Sequence, residues 1–199
     1  MDGVKSGVMY NSFLKRFFDF VLVLMAMPLI VPLMLVLFVL IRLESKGSPL
    51  FVQKRVGLNE KEFNIFKLRS MTVREVGEEG SFRTAAGDKR ITRIGGFLRK
   101  TSLDEVPQLF NVLLGHMSLI GPRPDLMAMK EDYKLEDWLK RCSVRPGVTG
   151  LAQVTNRSMG TPEERLESDL TYIRELSLSN DFKILFKTFN KVLRRAGVN

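Results

Sequence analysis

The chain has 199 residues, 45% of them hydrophobic, and Lys+Arg 31 against Asp+Glu 22 gives a formal net charge of +9. That length accommodates one domain with a core, or a membrane anchor plus a compact domain, and the charge favours anionic partners such as phosphates or acidic lipids. The single cysteine, Cys142, and the single histidine, His116, exclude an internal disulfide framework and a Cys/His zinc site within one chain.

Residues 1–12 read as poorly ordered, and Phe13–Phe20 as a basic amphipathic lead. Val21–Ile41 follows without a charge and has the length of a spanning helix. Two details argue against a simple span. Pro28 and Pro32 lie near its middle, where each removes a backbone donor and bends a helix. Both flanks are basic, with Lys15 and Arg16 before and Arg42 and Lys46 after, so the usual charge asymmetry of a span is missing. A helix–break–helix hairpin with limbs of about 10 residues, roughly one leaflet deep, fits better. A kinked span and a buried core helix remain the alternatives.

After a turn at Gly47-Ser48-Pro49, Leu50–Val56 and Glu62–Met71 read as short antiparallel strands joined through Gly57–Lys61. Lys67 and Arg69 alternate on the second strand and would share one face. The polar, glycine-containing stretch 73–89 reads as a loop that could close over a site. Arg90–Lys100 is basic and helical near Ile94–Leu98, and Val106–Leu114 is an apolar helix ending at Gly115. Leu126–Cys142 is a mixed helical region. Arg145–Val154 reads as a loop entering a short strand. Thr161–Leu176 opens with a capping box completed by Glu164. Phe182–Arg195 is a basic amphipathic helix suited to a membrane surface or, more plainly, to a core.

The most informative stretch is Phe97–Pro124, FLRKTSLDEVPQLFNVLLGHMSLIGPRP. It places adjacent carboxylates, Asp104 and Glu105, between basic residues: Arg99 and Lys100 before, Arg123 after. A carboxylate can attack phosphorus or bind Mg²⁺, and cations can neutralise the charge that develops. Ser102-Leu103-Asp104-Glu105 also fits a capping box, although Pro107 would then break a helical bond. A helix starting near Pro107 is the other option. Either way a positive helix end would favour ionised carboxylates. Arg123 between Pro122 and Pro124 is held on stiff backbone, ready for a phosphate or simply solvated. Arg145 before Pro146-Gly147 is a second fixed cation. Asp169 could pair with Arg165 one turn earlier, and His116 reads as structural.

These residues resemble the bacterial sugar transferases, the monotopic phosphoglycosyl transferases. TSLDEVPQLFNVLLGHMSLIGPRP is very similar to the family's core. PLFVQKRVG, FKLRSM, RITRIGGFLRKTSLDE, VRPGVTGLAQV and DLTYIRELSLSNDFKILFKT follow its order, and the similarity runs from about Phe13 to the C-terminus. The resemblance implies transfer of a phosphosugar from a UDP-sugar to a polyprenol phosphate, usually undecaprenyl phosphate, with release of UMP. It implies that Asp104 is the nucleophile of a ping-pong reaction through a phosphosugar–aspartate intermediate. Glu105 is the second essential acid, and Mg²⁺ is expected at Asp104 and Glu105. Lys67, Arg69, Arg99, Pro122, Arg123, Pro124, Arg145 and Asp169 are the candidate substrate-binding residues, and Pro28 marks the break of a re-entrant membrane helix. His116 and Gly96 depart from the family, which often has an acidic residue and a basic residue there.

The expected architecture is helix-rich α+β and monotopic. Residues 1–46 form the lead and re-entrant helix. Residues 47–199 form a cytoplasmic catalytic domain with a small antiparallel sheet and amphipathic surface helices. The expected place is the cytoplasmic face of a bacterial inner membrane, with membrane lipid as a partner, downstream glycosyltransferases as further ones and no nucleic acid. A non-catalytic basic membrane-binding module would leave the acid pair unused. A phosphatase or nucleotide hydrolase would use Asp104 with water as acceptor. The residues do not distinguish which sugar is carried.

Overall fold

The computed structural model describes residues 13–72, 88–155 and 161–196. The expected disorder of residues 1–12 and the main part of the expected 73–89 closing loop lie outside the described residues.

One long helix dominates the N-terminal part. Helix α1, Lys15–Glu44, is 30 residues long and apolar enough to cross a membrane. Pro28 and Pro32 lie inside it, and the helix continues through both, so the expected break is not a loop. Its packing is concentrated at its ends. Val23 joins a cluster with Phe63, Ile65, Val112 and Met117, while Leu37 and Ile41 pack with Leu68 and Leu98. Between these contacts Leu24, Met25, Leu29 and Val31 are exposed. An aliphatic surface of this kind is stable only against lipid or another apolar body.

Polar contacts fix both ends of α1. At the start, Lys15 is ion-paired with Asp181, and the Leu119 N–H donates to Asp19 at 3.2 Å. Arg16 donates to the Leu113 carbonyl at 2.7 Å and to that of Val112. At the finish, the Glu44 carboxylate accepts from the backbone N–H groups of Arg93 (2.7 Å) and Ile94 (3.0 Å). Those groups lie at the positive start of the next helix.

Strands β1, Leu50–Val56, and β2, Glu62–Leu68, form the expected antiparallel pair, with Phe51 opposite Lys67 and Arg55 opposite Phe63. Their turn puts Asn59 (φ 53) and Glu60 (φ 61) in the left-handed region. Glu60 is held there by hydrogen bonds from Lys130 and Trp138, both 2.8 Å. Helix α2, Arg93–Thr101, passes so close to the chain that leaves β2 that a Cβ on Gly95 would lie 2.0 Å from the Ser70 carbonyl oxygen.

Helix α2 ends at Ser102 in the left-handed conformation (φ 59). A 3₁₀ turn, Leu103–Glu105, follows, and then helix α3, Gln108–Leu113. Ser102 therefore closes one helix and makes no cap for the next, and the second helix waits for Pro107. Helix α3 is followed by Gly115 at φ 84.

Strand β3, Ser118–Ile120, pairs in parallel with β4, Gly147–Thr149. This second small sheet was not expected from the sequence. Its strands approach closely because a Cβ on Gly147 would lie 2.1 Å from the Gly121 nitrogen. The strand expected within 145–154 is cut to residues 147–149, and helix α5, Leu151–Thr155, takes the rest. The mixed region divides into a 3₁₀ stretch, Met127–Asp132, and helix α4, Leu135–Cys142. Helix α6, Pro162–Arg174, carries the expected Thr161/Glu164 capping box. Helix α7, Leu178–Ala196, buries Ile184 and exposes Phe182, Phe186 and Phe189.

Candidate active site

The acidic dyad is placed by chain geometry before any charge is considered. Helix α2 stops at Ser102, so the next residues turn back toward β2. Helix α3 is then stitched to the same strand by one side chain. Asn111, fully buried, accepts from the Phe66 N–H at 3.0 Å and donates to the Asn64 carbonyl at 2.7 Å. The amide thus makes the two bonds a third strand would make with that edge of β2. Lys67 is the next residue along, and its ammonium donates to Glu105 at 3.0 Å.

Glu105 is clamped. Besides Lys67 it accepts from Arg123 at 2.6 Å. Burial pushes its carboxyl upward, but Arg123 and Lys67 outweigh that and hold it down at about 2. The Lys67 ammonium is lowered by burial, with Glu105 opposing the shift. The Glu105 carboxylate raises the Arg123 guanidinium.

Asp104 is the contrast. Its carboxylate makes no hydrogen bond or ion pair with the described residues. Burial and the Glu105 charge push it up to about 6, against the opposing fields of Lys67, Arg99 and Arg123. A carboxylate at a positive helix end would favour the ionised form. Here α3 begins only after Pro107, and desolvation outweighs any helix-end effect. At neutral pH Asp104 is still ionised, uncommitted and more basic than an ordinary aspartate. Those are the attributes of a nucleophile facing phosphorus.

A fourth cation joins Lys67, Arg99 and Arg123. Arg55 donates to the Pro124 carbonyl at 3.3 Å and to Gln53 at 2.8 Å. Burial and then the Arg123 charge lower it, while Asp125 and Glu105 oppose. These four cations outnumber the carboxylates that act on them, Asp104, Glu105 and Asp125, so an excess of positive charge stands beside Asp104, which suits a diphosphate.

The other sequence candidates lie further out. Arg99 donates from Nε to the Ser70 hydroxyl at 2.7 Å, with its field still reaching Asp104. Strand β2 ends at Leu68, so Arg69 does not share the Lys67 face. It turns back onto the Ser45 and Lys46 carbonyls (2.7 and 2.8 Å) and secures the exit from α1. Arg145 donates to the Gly115 carbonyl at 3.0 Å, beyond the end of α3 remote from the dyad. His116 packs its ring on Phe63, with centroids 5.7 Å apart, in line with a structural role.

Asp169 pairs with Arg141 at 2.9 Å rather than with Arg165. Arg141 also binds Asp125 and donates to the backbone carbonyl of Arg123 at 3.1 Å. Asp125 accepts from the Tyr133 hydroxyl at 2.9 Å, and the Arg141 guanidinium lies 4.9 Å from the Tyr133 ring centre. The Pro122-Arg123-Pro124 turn thus rests on a buried polar network. Sequence reasoning missed Arg141, Asp125, Tyr133, Arg55 and Asn111. Asn111 carried a signal, a lone amide in an apolar helix that must find partners. Arg141 carried none that separates it from Lys140.

The donor set can be tested against the expected Mg²⁺. The Glu105 Oε1 is already taken by Lys67 and Arg123, while its Oε2 has a single long contact, 3.5 Å from Arg123. Among the described residues no group of three or more His, Cys, Asp or Glu side chains is placed to hold a metal ion. Asp104 alone is free, which fits a Mg²⁺ held largely by substrate phosphates and water with one carboxylate.

A family model described as bacterial sugar transferase matches residues 10–195. A UDP-N-acetylgalactosamine-undecaprenyl-phosphate N-acetylgalactosaminephosphotransferase of Aeromonas hydrophila is 41% identical over 94% of this chain and 45% of its own length. A UDP-glucose:undecaprenyl-phosphate glucose-1-phosphate transferase of Escherichia coli (strain K12) is 41% identical over 94% of this chain and 41% of its own length. The chain therefore spans less than half of these two relatives. An exopolysaccharide production protein PSS of Rhizobium leguminosarum bv. phaseoli is 41% identical over 92% of this chain and 96% of its own length.

Proposed function

The chain belongs to the bacterial sugar transferase family, and from that premise we propose that it transfers a phosphosugar from a UDP-sugar to undecaprenyl phosphate or a similar polyprenol phosphate. Relatives named for both substrates support the reading. The observation that carries it is the unpaired, half-buried Asp104 beside a clamped Glu105 and an excess of cations.

The Asp104 carboxylate attacks the phosphorus bonded to the sugar. A P–O bond to Asp104 forms, the diphosphate bond breaks and UMP leaves. An oxygen of the polyprenol phosphate then attacks the same phosphorus, and the Asp104 carboxylate departs. Each half-reaction needs cations where negative charge gathers. Arg123 and Lys67 are held for this by Glu105, whose role is to fix them rather than to carry protons. Mg²⁺, held by Asp104 with the diphosphate oxygens, would supply further charge neutralisation.

The membrane arrangement follows from the same reading. We assign α1 as a re-entrant helix bent about Pro28 and Pro32, entering from the cytoplasmic face of the bacterial inner membrane. Support comes from its packing. Val23 meets Phe63 and Ile65 of β2, and Leu37 meets Leu68 of the same strand. The strand from Ile65 to Leu68 spans about 10 Å, and from Phe63 about 17 Å, whereas the straight helix from Val23 to Leu37 would span about 21 Å. The exposed Phe182, Phe186 and Phe189 of α7 lie alongside as an interfacial face.

The test is UMP release in detergent or nanodiscs, with Mg²⁺ and undecaprenyl phosphate, across a panel of UDP-sugars. Release with a donor, lost in Asp104→Ala, supports the reading. Release that persists in Asp104→Ala, or that proceeds without acceptor through repeated turnovers, sinks it in favour of hydrolysis.

A further inference from the structure

Asp169 lies outside the dyad and has no contact with Asp104, Glu105 or the Arg123 side chain. Its side chain is 5% exposed, so a substrate cannot reach it without opening the fold. What it does touch is Arg141, through Nε at 3.0 Å and Nη2 at 2.9 Å. The Arg141 side chain is 7% exposed. It uses its fork in three directions: Asp169, Asp125 and the backbone carbonyl of Arg123. The two carboxylates come from separate parts of the chain: Asp125 follows the Pro-Arg-Pro turn, and Asp169 sits on α6, which also meets the chain ahead of that turn through Tyr172, whose hydroxyl donates to the Ile120 carbonyl at 3.0 Å. Burial raises the Asp169 carboxyl to about 6, with Arg141 opposing, as for a group desolvated to serve one partner.

We propose that Arg141 is a positioning residue for the transfer reaction, and that Asp169 acts on the site only through it, by fixing the backbone that carries Arg123. The proposal rests on the transferase reading for its consequence, and on the contacts alone for its mechanics. A planar guanidinium can hold two carboxylates and a carbonyl at once, and an ammonium cannot reproduce that fork. Arg123 in turn holds Glu105 at 2.6 Å. The line of contacts therefore runs Asp169, Arg141, Arg123 backbone, Arg123 side chain, Glu105. A misplacement of about 1 Å at a group that positions substrate can cost about 100-fold in rate.

The experiment is a double-mutant cycle with Arg141→Gln, Asp169→Asn and both together, in the full chain. UMP release is measured against UDP-sugar concentration, and deuterium uptake is measured for the peptide covering residues 121–133. Each single change is expected to lower kcat/KM about 100-fold, with a raised KM. Simple loss of folded enzyme would lower only the apparent kcat. The double variant is expected to fall no further, because both remove one linkage. Uptake in the 121–133 peptide should rise in Asp169→Asn, and no further once residue 141 is Gln. Arg141→Lys, which keeps the charge, should recover part of the loss and covers the case in which Arg141→Gln folds poorly. Tyr133→Phe is the mildest probe of the same network and should raise KM several-fold. Losses that multiply to about 10⁴-fold in the double variant, or unchanged uptake in Asp169→Asn, would overturn the proposal. If wild type releases no UMP from any donor, the transferase reading fails, and the exchange arm still decides the Arg141 linkage.

Discussion

Two charge groups meet at Arg123, one partly open and one buried, and they are mirror images. At the dyad one carboxylate, Glu105, is held by two cations, Lys67 and Arg123. Behind it one cation, Arg141, is held by two carboxylates, Asp125 and Asp169. The first arrangement leaves surplus positive charge and one unpaired acid facing outward, which suits an anionic substrate. The second leaves surplus negative charge sealed inside, which suits no ligand and instead fixes the backbone of Arg123. The lesson is that ion pairing alone does not mark a site. The distinguishing features are which sign is in excess and whether a chemically competent group is left uncommitted.

The largest expected effect falls on the uncommitted group. Asp104→Asn should lower UMP release by about 10⁴-fold or more, the scale seen when a nucleophile is removed. Glu105→Gln should lower kcat/KM about 100-fold, since Lys67 and Arg123 lose the anchor between them. It also tests the sign of the pH dependence. Asp104 must be ionised to attack, and its carboxyl stands at about 6. Wild-type kcat/KM should therefore be full above that pH and fall tenfold per unit below it. Removing the Glu105 charge, which pushes Asp104 up, should move this acidic limb to lower pH. A limb that stays in place would mean that another group sets it.

Smaller effects separate positioning from mere stability. Asn111→Leu leaves the Phe66 N–H and Asn64 carbonyl buried without their partner, and should cost about 2–3 kcal/mol in denaturant unfolding. Thr161→Ala, at the start of α6, removes a cap remote from both charge groups and should cost about 1 kcal/mol with kcat/KM unchanged. If the cap variant altered kcat/KM as much as Asn111→Leu did, the distinction between the two regions would collapse.

Much of this molecule was legible along the chain. The long apolar segment, the β1–β2 hairpin and the Thr161/Glu164 cap are local patterns, and each appeared where expected, although the helix begins six residues before Val21 and β2 stops three residues short of Met71. The dyad and Arg123 were legible because acid, base and proline are close in sequence. The β3–β4 pair was not, because its strands are three residues long and lie far apart in the chain. Their pairing depends on Gly121 and Gly147 meeting across the fold. The Arg141 network was hidden for the same reason: Asp125, Arg141 and Asp169 come from three separate elements. The acidity of Asp104 was misjudged because burial, which dominates it, is a property of the folded state. Arg69 misled because strand alternation was extended one residue past the end of β2.

The most direct test of the central claim is intact-protein and peptide mass spectrometry after incubation with Mg²⁺ and the UDP-sugar that supports UMP release, with the polyprenol phosphate withheld. The account predicts a phosphosugar adduct on Asp104, absent in Asp104→Asn and discharged when undecaprenyl phosphate is added. UMP release that continues in Asp104→Asn, or an adduct found on Glu105 instead, would contradict it.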